Sequence, residues 1–228
     1  MLIKWGSIVV DGSGKLGGHV FSKSRGGATV RTIARATNPQ TSFQQIIRSR
    51  FTRLSQNWRD LTEVQRESWY QAESSFSRTN RFGDVVTLSG KNLYESLNAN
   101  RQIIGLGVIN LAPLPTEIPV AIVTSANVSV SNGSMVISGM FKDSTDFVIV
   151  ATEGLSQGSR NGKNKLRIIG IAESFTDGTA IAGFNDVYDD YVARLGIPNS
   201  SRKIFIGVYS ISVSGQRSPV SSVVAKFV

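Results

Sequence analysis

The sequence predicts an α+β chain in two parts: an N-terminal β arm with a small helical body over residues 1–112, and an all-β sandwich over residues 113–228. Three observations predict it. Apolar residues recur at helical spacing in three successive stretches between residues 43 and 104. Seven short β-type runs separated by Gly-containing turns follow a proline-rich break. The charge is polarised: residues 1–59 carry ten basic side chains against Asp11 alone, so they hold the whole net charge of +9, and residues 60–228 sum to zero.

The arm comes first. Residues 4–10 alternate weakly and predict a strand. Residues 12–18 predict a loop. Residues 19–24 and 28–34 predict two further strands around the Arg25-Gly26-Gly27 turn. Between residues 12 and 36 stand six glycines, five cations and few apolar side chains, so the segment buries little surface by itself and depends on a partner or the following helices for order. The expected partner-binding set is Lys15, Lys23, Arg25, Arg31 and Arg35 of the arm with Arg48, Arg50 and Arg53 of the first helix.

Asn38-Pro39 breaks the extended run. Thr41-Ser42-Phe43-Gln44 has the form of a capping box, and Phe43, Ile47, Phe51, Leu54 and Trp58 then form one apolar stripe, with Arg48, Arg50 and Arg53 read as lying off it. Thr62-Glu63-Val64-Gln65 is a second capping box, opening a helix with Val64, Trp69, Ala72 and Phe76 inward. Residues 82–88 are a short extended piece. A third helix follows Ser89-Gly90 with Leu93, Leu97 and Ile104 inward. Core packing accounts for Trp58, Trp69 and Phe76.

Pro113, Pro115 and Pro119 mark the boundary between the parts. The expected strands beyond it are residues 121–130, 134–141, 147–152, 165–172, 179–184, 203–213 and 220–227, with a short helix over 185–196. Their number and spacing suggest a sandwich of immunoglobulin or fibronectin type. The polar, Gly-rich loop 154–164 is long enough to be an exposed binding tip.

Several chemistries lack their residues. There is no cysteine, which removes disulfides and thiolate metal sites. No apolar run is long enough for a membrane span, and the start lacks a signal-peptide core, so a soluble protein made in the cytoplasm without a membrane partner is expected. Gly12-x-Gly14-x-x-Gly17 matches a dinucleotide fingerprint only in its glycines: a strand, not a helix, is expected after them, and no acid stands about 20 residues on. His19 is the lone histidine. Asp186, Asp189 and Asp190 are the nearest thing to paired carboxylates, and a solvated acidic face explains them. No serine sits in a nucleophile elbow. No enzymatic activity and no cofactor are expected.

Gly14-Lys15-Leu16-Gly17-Gly18-His19-Val20-Phe21, the Arg25-Gly26-Gly27 turn, Asn38-Pro39-Gln40-Thr41, the Phe51/Leu54/Trp58 helix, Leu61-Thr62, Gln65, Trp69 and Leu88-Ser89-Gly90-x-Asn92-Leu93-Tyr94 together resemble uncharacterised structural proteins of tailed bacteriophages and prophages, including crAss-like phages, over about residues 12–115. The resemblance implies a virion component. The expected roles are a head auxiliary protein that decorates or cements the capsid, a ring or adaptor of the portal–tail neck, or a virion protein that binds DNA by charge. The expected partners are the major capsid protein or portal and neck subunits, with homo-oligomers in the assembly.

Overall fold

The structure is a computed structural model and describes residues 2–4, 6, 12–35, 37–80, 82–118, 121–140, 146–172 and 181–228, with only the backbone of 181–186. The chain is mixed α+β, with four helices and several antiparallel sheets among the described residues. It separates into two compact units, Met1–Ala99 with Ile109–Pro115, and Asn100–Val108 with Thr116–Val228. No helix of the described residues is long and apolar enough to cross a membrane.

The first unit opens with β1 (Leu2–Ile3), β2 (Gly14–Leu16), β3 (His19–Ser24) and β4 (Gly27–Thr32), paired in the order β1-β4-β3-β2. The expected strand over 4–10 falls mostly outside the described residues, as does Asp11. The expected loop over 12–18 contains the edge strand β2. The hairpin at Arg25-Gly26-Gly27 forms as its glycines require. Gly27 has φ +108°, and a Cβ there would stand 3.2 Å from Leu2 Cδ1, so any side chain would be both strained and crowded.

Three helices follow: α1 (Ser42–Asp60), α2 (Glu63–Gln71) and α3 (Gly90–Ile103). Thr41 caps α1 by accepting from the Gln44 amide at 3.3 Å. At α2 the box is complete, since Gln65 N donates to Thr62 Oγ1 at 3.4 Å and Thr62 N donates to Gln65 Oε1 at 2.9 Å. Trp69 and Tyr94 are wholly buried and meet at 5.3 Å edge-on, with Trp58 5.3 Å from Tyr94 on its other side. This aromatic set, with Leu54, Leu61 and Leu93, forms the unit's core. The indole of Trp69 donates to Asn110 O at 2.8 Å, and buried Asn98 exchanges two bonds with the Ile109 backbone, which tie the segment after α3 onto the helices. The two-strand hairpin of β5 (Arg78–Thr79) and β6 (Val85–Val86) lies between α2 and α3.

Two of the expected inward stripes differ from the structure. On α2 only Trp69 is buried, while Val64 is 77% exposed and Ala72 and Phe76 are half-buried. On α1 only Leu54 and Trp58 are buried. A nine-residue α2 turns one residue fully into so small a core, and α1 runs past that core at its amino end.

The second unit contains β7 (Ile122–Ser129), β8 (Ser134–Met140), β9 (Asp146–Ala151), β10 (Arg167–Ala172), β11 (Ile181–Phe184), α4 (Asn185–Leu195), β12 (Phe205–Ile211), β13 (Ser221–Val224) and β14 (Lys226–Phe227). Two four-stranded sheets, β10-β9-β12-β13 and β11-β8-β7-β14, contribute to one core that includes Val128, Ile137, Ile149, Ile206, Val208 and Tyr191 of α4. Every residue of β12 is buried, because Tyr209 and Ile211 on its other face pack with Val148, Val150, Ile103 and Ile104. Residues 100–108 therefore cover the outer face of this sheet. Arg101 donates to Val213 O and, from Nε, to Gly107 O at 2.8 Å, and Asn100 Nδ2 donates to Gly215 O at 2.8 Å. Burial holds the Arg101 pKa below the usual guanidinium value.

Three expected strands differ by more than one residue, and of these 203–213 shortens at both ends to Phe205–Ile211. Residues 165–166 belong to the 3₁₀ turn Lys163–Lys165 and its end, so β10 starts at Arg167. The run 220–227 divides at Ala225 into β13 and β14, which pair in different sheets, β13 antiparallel to β12 and β14 parallel to β7. Phe141 and residues 179–180, expected at strand ends, lie outside the described residues. Gly133, at φ +58°, closes the β7–β8 turn in the left-handed region that glycine enters without steric cost.

Candidate docking surface

The N-terminal sheet is a single layer, and no residue between 12 and 35 is buried. A sheet of this kind has hydrogen bonds but little apolar burial to hold it. Alternation along the strands decides where the cations go. Lys15 is opposite Val20 and Val20 is opposite Arg31, so Lys15 and Arg31 share one face across three strands. Ser22 and Thr29 stand on that face, their hydroxyls 2.8 Å apart. Lys23 is opposite Ala28, on the other face, together with the Phe21–Val30 and Leu16–His19 pairs. Arg35 lies beyond β4 and is exposed.

Arg25, at the hairpin tip, points elsewhere. Its Nη1 is 3.1 Å from Glu73 Oε2, while Glu73 Oε1 accepts from the Gly90 amide at 2.6 Å, the first residue of α3. A second tether joins Lys4 to Asp84 at 3.2 Å, with the ammonium 5.1 Å from the Phe82 ring centroid. Hydrogen bonds from Asn80 and then from Lys4 hold the Asp84 carboxyl below the usual carboxylate range. Of the five arm cations, then, the fold brings Lys15 and Arg31 together, sets Lys23 on the opposite face and uses Arg25 to tie the arm to the helices.

On α1, Arg48 and Arg53 are exposed and Arg50 is half-buried. Arg50 does not lie off the apolar stripe: it follows Ile47 by three residues and precedes Leu54 by four, which places it within the stripe. The amino-terminal half of this stripe is only partly covered: Phe43 and Phe51 are exposed at 52% and 47%, Ile47 is half-buried, and Ile46 beside the stripe is exposed at 48%. The expected core stripe thus has two roles, a buried anchor at Leu54 and Trp58 and an open apolar face ahead of it.

One surface has no counterpart among the sequence-predicted residues. On the side of α2 away from Trp69, Glu63, Val64, Glu67, Ser68 and Gln71 form with Leu111 a groove of about 400 Å³. Ser68 Oγ accepts from the Ala112 amide at 3.2 Å, and Gln71 Nε2 donates to Glu67 Oε1 at 3.3 Å. Val64 and Leu111 are 77% and 58% exposed. The signal available in sequence was the four-residue spacing of Glu63, Glu67 and Gln71, opposite in phase to Trp69.

In the second unit, the loop expected as an exposed binding tip is exposed over most of residues 156–161 and is pinned at its base. Leu155 is buried and exchanges backbone bonds with Lys203 at 2.8 and 2.9 Å, and Gln157 Nε2 donates to Ser201 O at 2.9 Å. Gly162 packs so closely on Phe205 that a Cβ would come within 2.6 Å of the ring. The loop walls a polar cleft of about 510 Å³ with Tyr191 at its base. The Tyr191 hydroxyl donates to Thr152 O at 3.1 Å, and burial, then the nearby Glu153 carboxylate, push its pKa up to about 12. Tyr191 is therefore a neutral structural donor at ordinary pH. Asp189 and Asp190 are exposed, the Asp186 side chain lies outside the described residues, and no group of three or more metal-ligating side chains is found among the described residues. The Gly12-x-Gly14-x-x-Gly17 segment leads into β3, not a helix, so it lacks the helix N-terminus that holds a pyrophosphate.

The chain matches no protein-family model, no curated protein and no solved structure.

Proposed function

We propose that this chain is a non-enzymatic structural protein of a tailed-phage virion, a head auxiliary protein that decorates or cements the capsid and docks through its basic N-terminal region. The observation that carries the reading is the one-layer basic sheet without a buried residue, in a chain whose two units both have cores elsewhere. Such a sheet gains most when another surface covers it. Among the described residues, β2 is exposed throughout and forms the edge of this sheet, the position at which strand addition occurs. Lys15 and Arg31 on one face supply attraction to an acidic surface.

The second unit reads as an immunoglobulin/fibronectin-like module displayed to solvent. Strand order supports this: its first, second and fifth strands share one sheet, and its third, sixth and seventh share the other. The fourth strand, β10, joins the second sheet, and α4 fills the connection between the fifth and sixth.

The test is location. Antibody labelling or cryo-electron microscopy of purified particles is expected to find the protein in many copies over the head. Copies confined to one ring at the portal vertex would replace decoration with the neck role, and absence from particles would overturn the virion reading. Sequence-independent binding to duplex DNA at low salt, lost steeply as salt rises, would favour the DNA role instead.

A further inference from the structure

The geometry points to a head-to-tail contact between copies of this chain, in which the open amino-terminal face of α1 of one copy seats in the Val64/Leu111 groove of the next. The two surfaces are complementary in kind. The α1 face presents Phe43, Ile46 and Phe51, contains the half-buried Arg50, and is flanked by Arg48 on one side and Arg53 on the other, with no acid in the first turn. The groove is lined by the exposed apolar side chains of Val64 and Leu111 together with the acids Glu63 and Glu67. Phe43 or Phe51 has a cavity to enter, and each arginine meets an acid at the rim.

The groove is also held in shape before any partner arrives. The Ala112 amide bond to Ser68 and the Trp69 indole bond to Asn110 fix Leu111 from both sides. The helix that presents the face is anchored by Leu54 and Trp58 in the core. Both surfaces are thus formed on regular, anchored elements, which lowers the ordering cost of docking. A two-fold contact of α1 on α1 is disfavoured, because it would set the arginines of one copy against those of the other. The complementary surfaces are different patches of the molecule, so the contact is heterologous and propagates from copy to copy, into a ring where the rotation between copies closes and into a filament where it does not. This inference concerns contacts between like subunits and does not depend on where in a particle the protein sits.

The experiment uses the full-length chain in sedimentation velocity at low ionic strength, with far-UV circular dichroism to check that each variant is folded. The wild type is expected to associate with rising concentration, and association is expected to fall at about 1 M salt, where the Debye length is about 3 Å. Two charge-reversed variants are compared: Arg48→Glu with Arg53→Glu on the helix, and Glu63→Lys with Glu67→Lys on the groove. Each alone is expected to weaken association by roughly tenfold or more, since like charges then face each other. An equimolar mixture is expected to recover it, because each variant's helix matches the other's groove. A wild type that stays monomeric at every concentration overturns the inference, and α1 then docks on an acidic partner other than itself. Folded variants that associate like wild type, or a mixture that does not recover, overturn it equally.

Discussion

Glu73 is the joint at which the arm is fastened to the helical body, and its two bonds are unequal. The bond from the Gly90 amide, at 2.6 Å, satisfies an otherwise unpaired donor at the start of α3 and places a carboxylate at the positive end of that helix. Glu73 is only 22% exposed, so this charge-assisted bond contributes about 1.5–3 kcal/mol. The pairing with Arg25 is different, because the guanidinium is 61% exposed and solvent screens it to about 0.5 kcal/mol. Glu73→Ala is therefore expected to destabilise the first unit by about 2 kcal/mol in urea unfolding followed by helical circular dichroism. Arg25→Ala is expected to cost about 0.5 kcal/mol or less in the same assay. Both variants release the hairpin tip, so both are expected to speed limited trypsin cleavage at Lys15, Lys23, Arg31 and Arg35. An Arg25→Ala cost equal to that of Glu73→Ala, or a Glu73→Ala cost within error of zero, would refute the claim that the bond to the start of α3 is the stronger of the two.

Tyr191 gives a pH dependence. Its folded pKa, about 12, lies above the ordinary 10.0, so the stability it contributes is complete below pH 10. That contribution, on the order of 3 kcal/mol, is lost as pH rises from 10 towards 12. Burial pushes Tyr209 in the same direction. Thermal melts are expected to fall steeply over this range, and Tyr191→Phe is expected to flatten the fall. A fragment of residues 100–228 is expected to melt above one of residues 116–228, because Ile103 and Ile104 cover Tyr209 and Ile211 and are worth about 1–2 kcal/mol each; equal melting temperatures would remove that role. In β12, Gly207→Ala places a Cβ 2.8 Å from the Ser221 carbonyl oxygen, which is backbone and cannot swing aside. An overpacking cost of about 1–3 kcal/mol is expected by denaturant titration, and a neutral result would mean that β13 moves freely.

The chain's elements were largely legible in its sequence because each rests on local chemistry. The Thr62/Gln65 box sets the start of α2, the Arg25-Gly26-Gly27 turn sets a hairpin, and the runs from residue 121 onward each contain a strand. What was not legible is where an element meets its neighbours. The α1 stripe is continuous from Phe43 to Trp58, and nothing in its period tells that the core ends near Leu54. Ile104 reads as the inward end of the third helix, yet it lies past the end of α3, and residues 100–108 roof a sheet whose strands begin far downstream. The same limit applies to the candidate site. Charge counting marked eight cations, but strand alternation divides Lys15 and Arg31 from Lys23, and Arg25 is engaged by Glu73, 48 residues away. The acidic groove was missed because its lining needs Leu111, which only the fold brings beside α2.

The division of the last β run at Ala225 has a mechanical consequence. Because β14 runs parallel to β7, a pull applied to the chain ahead of β7 and behind β14 acts along both strands in opposite directions. The Lys226–Asn127 and Phe227–Val128 pairs and the Val228 amide bond to Val128 O are then loaded together in shear, not peeled one at a time. The antiparallel ladder of β13 on β12 stands behind them as a second line in the other sheet. A module laced in this way resists tension between the two ends of its β7–β14 pairing by shear in both sheets.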